Sequence, residues 1–396
     1  MTGVFLSFVG TVIGSVWMLS LFGITLPDQV TPIFKVHRIF QLNGFVTLMI
    51  MGVGYMIIPR MRNRLTPSNN LAKISYLFII FSIGLDLVGG ILSYDYSKIA
   101  TLLRLIGVSI FSGLIFYMLR IVPKLLRESD YFIAISLSVL IASQVVSLFD
   151  VQQNLLIQKQ MWLFFPILMI FAIQYKTLPS FLGFLRPKMK LLFTSISLAI
   201  ISGVFAITSA VIPSQSLDIA FNLSMISMVV FFVLSLYIYG GFDNTQILKL
   251  ITGEKKKRYH MIVLYTRIAY GFLLAALILG ITHASNLTNF ALYDLTIHYT
   301  AIGFIGLTIM LYLPLMIPPI LEKPIRFLDF NNIPLGLILT ALGIRTIGDV
   351  ILSSQLHDSS MIIFGVSGFF VLTGMFLFVR MIHRAMKNTN SELSIV

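Results

Sequence analysis

HRIFQLNGFVTLMIMGVGYMIIPR, residues 37–60, opens with a histidine and an arginine and then carries no charged side chain until Arg60. An apolar run of this length crosses a ~30 Å hydrocarbon core as an α-helix rising ~1.5 Å per residue. A strand through a membrane would need only about ten residues and would alternate in polarity. The run is continuous, so it reads as a membrane-spanning helix.

The pattern recurs along the whole chain. Hydrophobic residues make up 57% of the 396 positions and charged residues 11%, with a mean hydropathy of +0.94, which is far more apolar than a soluble globular chain. Twelve such runs stand between short polar breaks, at 3–26, 33–58, 71–93, 99–122, 131–150, 161–180, 190–211, 219–240, 260–281, 294–318, 330–353 and 361–383. The first lacks a charged leader and a small-residue cleavage pattern, and reads as a retained helix. The expected fold class is therefore all-α, a polytopic integral membrane protein of about 12 transmembrane helices forming one membrane domain over residues 1–396.

A net charge of +13 raises the question of nucleic acid, and its distribution answers against it. Of the 28 Lys and Arg residues, 21 fall in alternate connections or the C-terminal tail: Arg60 to Lys73, Arg120 to Arg127, Lys176 to Lys190, Lys249 to Arg258, Lys323 to Arg326 and Arg380 to Lys387. The connections between hold only Lys35, Lys98 and Lys159. By the positive-inside rule both termini and the basic connections are expected on the cytoplasmic side of a prokaryotic cell membrane. The run EKKKRYH at 254–260 suits anionic lipid head groups, or a plain cytoplasmic stop between helices.

The chain has no cysteine, which removes disulfides, thiolate metal sites and covalent c-type haem attachment. It has no P-loop, no dinucleotide-binding glycine motif and no H-E-x-x-H. On the expected topology four of the six histidines gather near the outer surface. His37 and His298 lie about a turn inside helices 2 and 10, His283 closes helix 9, and His357 falls in the last outer connection.

Helices 2 and 10 also share a pattern. GFVTLMIMGVGYMIIP, from Gly44 to Pro59, and GFIGLTIMLYLPLMIP, from Gly303 to Pro318, agree at seven of sixteen positions without a gap, as an internal duplication would leave them. His37 precedes its proline by 22 residues and His298 by 20, or ~33 and ~30 Å along ideal helices, so both imidazoles can share one level. Relative to the Gly-Phe pair they are offset by two residues, about 200° of helix rotation. Two imidazoles at one depth can hold a haem iron from opposite sides, which makes His37 and His298 the candidate metal ligands. The other reading is that each bonds a helix carbonyl or a partner side chain.

Arg38, Arg104, Arg267 and Arg345 stand within or at the edge of apolar spans, where a cation needs a partner or an aqueous cavity. Arg345 and Asp349 are spaced to neutralise each other on one helix. Arg38 and Arg104, near outer helix ends, suit haem propionates or snorkel to the surface. Asp86 either pairs with an arginine or serves proton movement.

At HRIFQLNGFVTLMIMGVGYMIIPR the chain resembles the NnrS family and its relatives at the edge of the haem-copper oxidase subunit I superfamily. His37, Gln41, Gly44, Phe45, Gly52, Pro59 and Arg60 fit the family's helix-2 pattern, and HYTAIGFIG from His298 resembles its second histidine motif. The resemblance implies an oxidase subunit I-like bundle and a low-spin haem b on His37 and His298. The sequence departs from the pattern at Ile39, where a second helix-2 histidine is expected, and at Thr296, where oxidases place a high-spin haem ligand. No histidine occurs in 161–211, so copper is not supported.

These readings converge on a haem b-binding membrane protein moving electrons in a respiratory or nitric-oxide-related process. Its expected partners are membrane lipid, the quinone pool or an outer-side electron carrier, and subunits of a respiratory complex. Two other classes stand beside it. One is a twelve-helix secondary transporter with Asp86, Arg267 and Arg345 along a central path. The other is a cofactor-free scaffold subunit.

Overall fold

A computed structural model describes residues 2–18, 36–62, 64–92, 95–120, 128–149, 155–181, 184–240, 253–286, 289–320, 331–354 and 358–387. His357 and the basic connections around Lys124, Lys249 and Lys323 lie outside the described residues. The described chain is all-helical: α1 Thr2–Met18, α2 Val36–Arg60, α3 Asn69–Leu92, α4 Ser97–Arg120, α5 Glu128–Leu148, α6 Leu155–Phe181, α7 Met189–Val211, α8 Gln215–Ser235, α9 Gly253–Ser285, α10 Phe290–Met316, α11 Ile333–Ser354 and α12 Asp358–Lys387. Eleven are long and apolar enough to span a membrane, and Thr2–Met18 is a shorter apolar helix. The protein is a polytopic all-α membrane protein.

Sequence neighbours form antiparallel hairpins, α3 with α4, α5 with α6, α7 with α8, α9 with α10 and α11 with α12, while α1 lies between α2 and α12. Short connections impose this order, because consecutive helices joined by few residues must return alongside each other. A stack of rings fills the middle. Phe171 lies flat on Phe232 at 4.0 Å between centroids, and Tyr270 meets Phe304 edge-on at 5.2 Å.

Neither α2 nor α10 is α-helical throughout. Each widens into a π-helix of eight residues, Phe40–Thr47 and Tyr299–Gly306, before returning to α geometry. Each wide turn begins four residues before the glycine of the shared pattern and ends three after it. Runs of π-helix are rare, so their identical register gives the repeat a structural basis beyond shared apolar letters.

The glycines explain why the wide turns sit where they do. A Cβ on Gly44 would lie 2.9 Å from Cβ of Leu6 on α1, and a Cβ on Gly303 would lie 2.7 Å from Cγ of Phe272 on α9. In both cases the preceding helix presses a side chain into the widened turn, and only a residue without Cβ admits it.

Arg267 is accounted for at the end of α8. The chain leaves the helix through Tyr237 at φ 52°, which exposes main-chain oxygens of Ile238 and Gly240, and Arg267 donates to both at 2.8 Å. An intramembrane arginine here satisfies carbonyls that have lost their helical partners. At the same basic end Arg62 forms a buried ion pair with Asp130, tying the end of α2 to α5.

Gly44→Ala and Gly303→Ala are each expected to cost about 1–3 kcal/mol through overpacking. Gly52, whose added Cβ would meet nothing within 4 Å, is the internal control. Thermal unfolding in detergent should show clear losses for the first two and none for Gly52→Ala.

Candidate functional site

The site is built at one end of the bundle, here termed the histidine end, from α2, α3, α4, α6, α10 and α11. His37 is the second described residue of α2, and its ring lies on α1. A Cβ on Gly14 would come within 2.6 Å of the His37 Cε1, so the glycine leaves the space the imidazole occupies. The His37 Nδ1 is 2.6 Å from the Gly10 carbonyl oxygen. A carbonyl can only accept, so Nδ1 carries the hydrogen and Nε2 is left with its lone pair. Gln41, one turn on, donates to the Ser7 carbonyl at 3.1 Å and to the Thr11 hydroxyl at 3.0 Å, which holds this face of α2 in register with α1.

His298 reaches the same state by a different route. Its Nδ1 donates to the Asp294 carbonyl at 2.8 Å, one turn back on α10, and lies 3.2 Å from the Asp294 carboxylate. Among the described residues neither histidine has a hydrogen bond at Nε2. His37 and His298 are near enough for a charge on one to act on the other, and His37 stands in the same relation to Arg345. From Phe40 onward the main packing partners of α2 are not those of α10. The first lies against α1, α3 and α4, the second against α9, α11 and α6. The two histidines thus come within electrostatic reach of each other from helices with different main neighbours.

The shared glycine frame shows how this is done. Measured from Gly44 and Gly303, His37 corresponds to Thr296 and His298 to Ile39. The two copies use different positions of one turn, so the offset expected from sequence is present at an unbroken register.

Charged side chains surround the pair. Arg345 of α11 grips the Asp294 carboxylate with both arms, Nε at 2.5 Å and Nη2 at 2.7 Å. The expected pairing of Arg345 with Asp349 on its own helix is therefore corrected. The guanidinium makes its fork across helices, where a carboxylate on α10 meets it in the planar geometry that i,i+4 neighbours cannot offer. Asp86 of α3 takes Arg104 of α4 as its partner, and Arg104 also donates to the Thr101 hydroxyl at 2.8 Å. Of the two arginines expected to face propionates, Arg104 is thus occupied, whereas Arg38 is exposed on α2. Lys159 of α6 lies over the Tyr293 ring at 4.5 Å, within electrostatic reach of both Arg38 and Asp294.

Asp294 and Lys159 were not among the residues singled out from sequence. A signal for Asp294 exists, an acid four residues before a membrane histidine, but it stands at the first position of the expected tenth span, where an interfacial acid is ordinary. Gly10-x-x-x-Gly14 was legible as a helix-packing motif, although nothing in it points to a histidine. His283 is buried within α9 near Tyr293, at 5.9 Å between rings, and apart from the pair.

No family model matches the chain, and no curated protein matches it.

Asp294→Ala is expected to strand the buried Arg345 and cost about 3–5 kcal/mol, as breaking a buried ion pair does. A double-mutant cycle with Arg345→Met in detergent unfolding checks it. Arg345→Met in the Asp294→Ala background should recover much of the loss.

Proposed function

We propose that this protein is a haem b-binding electron carrier of the prokaryotic cell membrane, whose haem would be held by His37 and His298. The supporting observation is the hydrogen bonding of the imidazoles. Both are fixed through Nδ1–H to main-chain carbonyls, both keep Nε2 unbonded among the described residues, and each is on a different helix within electrostatic reach of the other. This is the tautomer and orientation that metal-bound histidines adopt. A lone structural histidine has no need of a matched partner on a second helix.

The donor set fits the group. Two neutral imidazoles are good donors to a haem iron, and a haem held by both would suit electron transfer better than ligand chemistry. Arg38 and Lys159, two cations near enough to repel each other, would attract its propionates. Gly10 and Gly14 hold the His37 ring, and Asp294 holds that of His298. When bound, haem supplies one-electron redox chemistry. The quinone pool or a carrier at the histidine end would exchange the electron, in a respiratory or nitric-oxide-related process. The pairing of Arg104, Arg267 and Arg345 within the fold speaks against a charged central path for transport.

The deciding experiment is a dithionite-reduced minus oxidised absorption spectrum of detergent-purified protein expressed with ample haem. Sharp reduced bands are expected in the wild type and should be lost in His37→Ala and in His298→Ala. A featureless spectrum from folded wild-type protein overturns the proposal.

The histidine end is proposed to face outward, with both termini cytoplasmic, on the asymmetry of Lys and Arg alone. With no native cysteine, single substitutions report this cleanly. A membrane-impermeant maleimide added to intact cells should label Ser216→Cys, at the start of α8, and leave Leu65→Cys unlabelled. The reverse pattern would invert the topology.

A further inference from the structure

Asp349 stands behind the Arg345–Asp294 pair and takes no part in the proposed ligation. It is completely buried, at 0% exposure, and no donor among the described residues reaches either of its carboxyl oxygens. The group facing it is another acid, since the Asp294 side chain lies within hydrogen-bonding reach. Carboxylates have acceptors only, so two of them in such proximity need a cation between them or a hydrogen that one of them carries.

The charges around the pair leave the same requirement. Arg345 is the cation on this helix, and its Nε and Nη2 engage Asp294. From α10 the facing groups are Asp294 and His298, and His298 meets Asp294. From α12, also packed on α11, the described charged and titratable side chains are Arg380, His383 and Arg384, all in its last third, while the Asp358 side chain lies outside the described residues. Across the space from α2 stands His37, which is near Arg345. One guanidinium neutralises one carboxylate, and a second buried anion beside it would carry a large desolvation cost.

We infer that Asp349 is a proton-binding site in the membrane-spanning part of the protein, holding a hydrogen that it donates to the ionised Asp294. The pair is not symmetric. Asp294 is kept charged by the Arg345 fork, so the proton rests on Asp349. Proton loss would place two like charges side by side in a dry region, and it is disfavoured until a nearby charge changes. The site thus stores one proton at the histidine end, whose retention depends on the charges of Asp294 and Arg345. None of this requires a bound haem.

The test is infrared spectroscopy of the purified protein at neutral pH, comparing wild type with Asp349→Asn and Asp86→Asn. A protonated-carboxyl C=O stretching band is expected in the wild type, shifted in deuterated buffer, absent in Asp349→Asn and kept in Asp86→Asn. An asparagine can donate to Asp294 as the acid does, so the variant should retain its thermal stability. Should it fail to fold, wild-type protein carrying carboxyl-labelled aspartate gives the same answer by solid-state nuclear magnetic resonance, as one aspartate carboxyl still protonated at neutral pH. A band unchanged in a folded Asp349→Asn, or aspartates that are all ionised, overturns the inference and moves the proton to His298. The same spectra together with sodium-dependent stability would mean a bound cation instead.

Discussion

The Asp294 carboxylate joins α10 to α11 through the two-armed grip of Arg345, and its residue orients His298 through both carbonyl and side chain. In hydrocarbon no water competes for these groups, so the ion pair must be geometrically complete or the helices cannot hold it there. Everything at the histidine end depends on that completion. The fork fixes the approach of α11, the carbonyl fixes the imidazole, and Asp349 is left buried behind a pair that is already neutralised.

Helix identity and the all-α class were legible, because apolar runs in lipid allow almost nothing else. The repeat was legible as letters only. Its physical content, a wide π turn into which Leu6 or Phe272 presses beside a glycine, depends on what the neighbouring helix presents and has no local signature. The same holds for His37. Its ring lies on Gly14 and bonds Gly10, two residues more than twenty positions away in the sequence.

Pairing of the buried arginines divides along the same line. Asp86 with Arg104 joins adjacent helices of one hairpin, and the sequence allowed it. Arg345 with Asp294 crosses between hairpins, and the i,i+4 neighbour Asp349 was the nearer guess. Local spacing ranks contacts within one helix, where the fork of an arginine is poorly served, and is silent on those between helices.

The two halves of the site solve one problem by different means. On α2 the imidazole is oriented by a foreign backbone, since α1 approaches closely enough to offer the Gly10 carbonyl. On α10 the carbonyl comes from one turn back on the same helix, and the acid of that residue recruits a second helix through Arg345. Two helices that share their glycines and widened turns but hold their histidines two positions apart gain a consequence from that offset. Imidazoles at equivalent positions would relate to their glycines alike, whereas the offset turns them by about 200° with respect to each other on ideal helices. The repeat supplies the depth, and its departure from exact repetition supplies the direction.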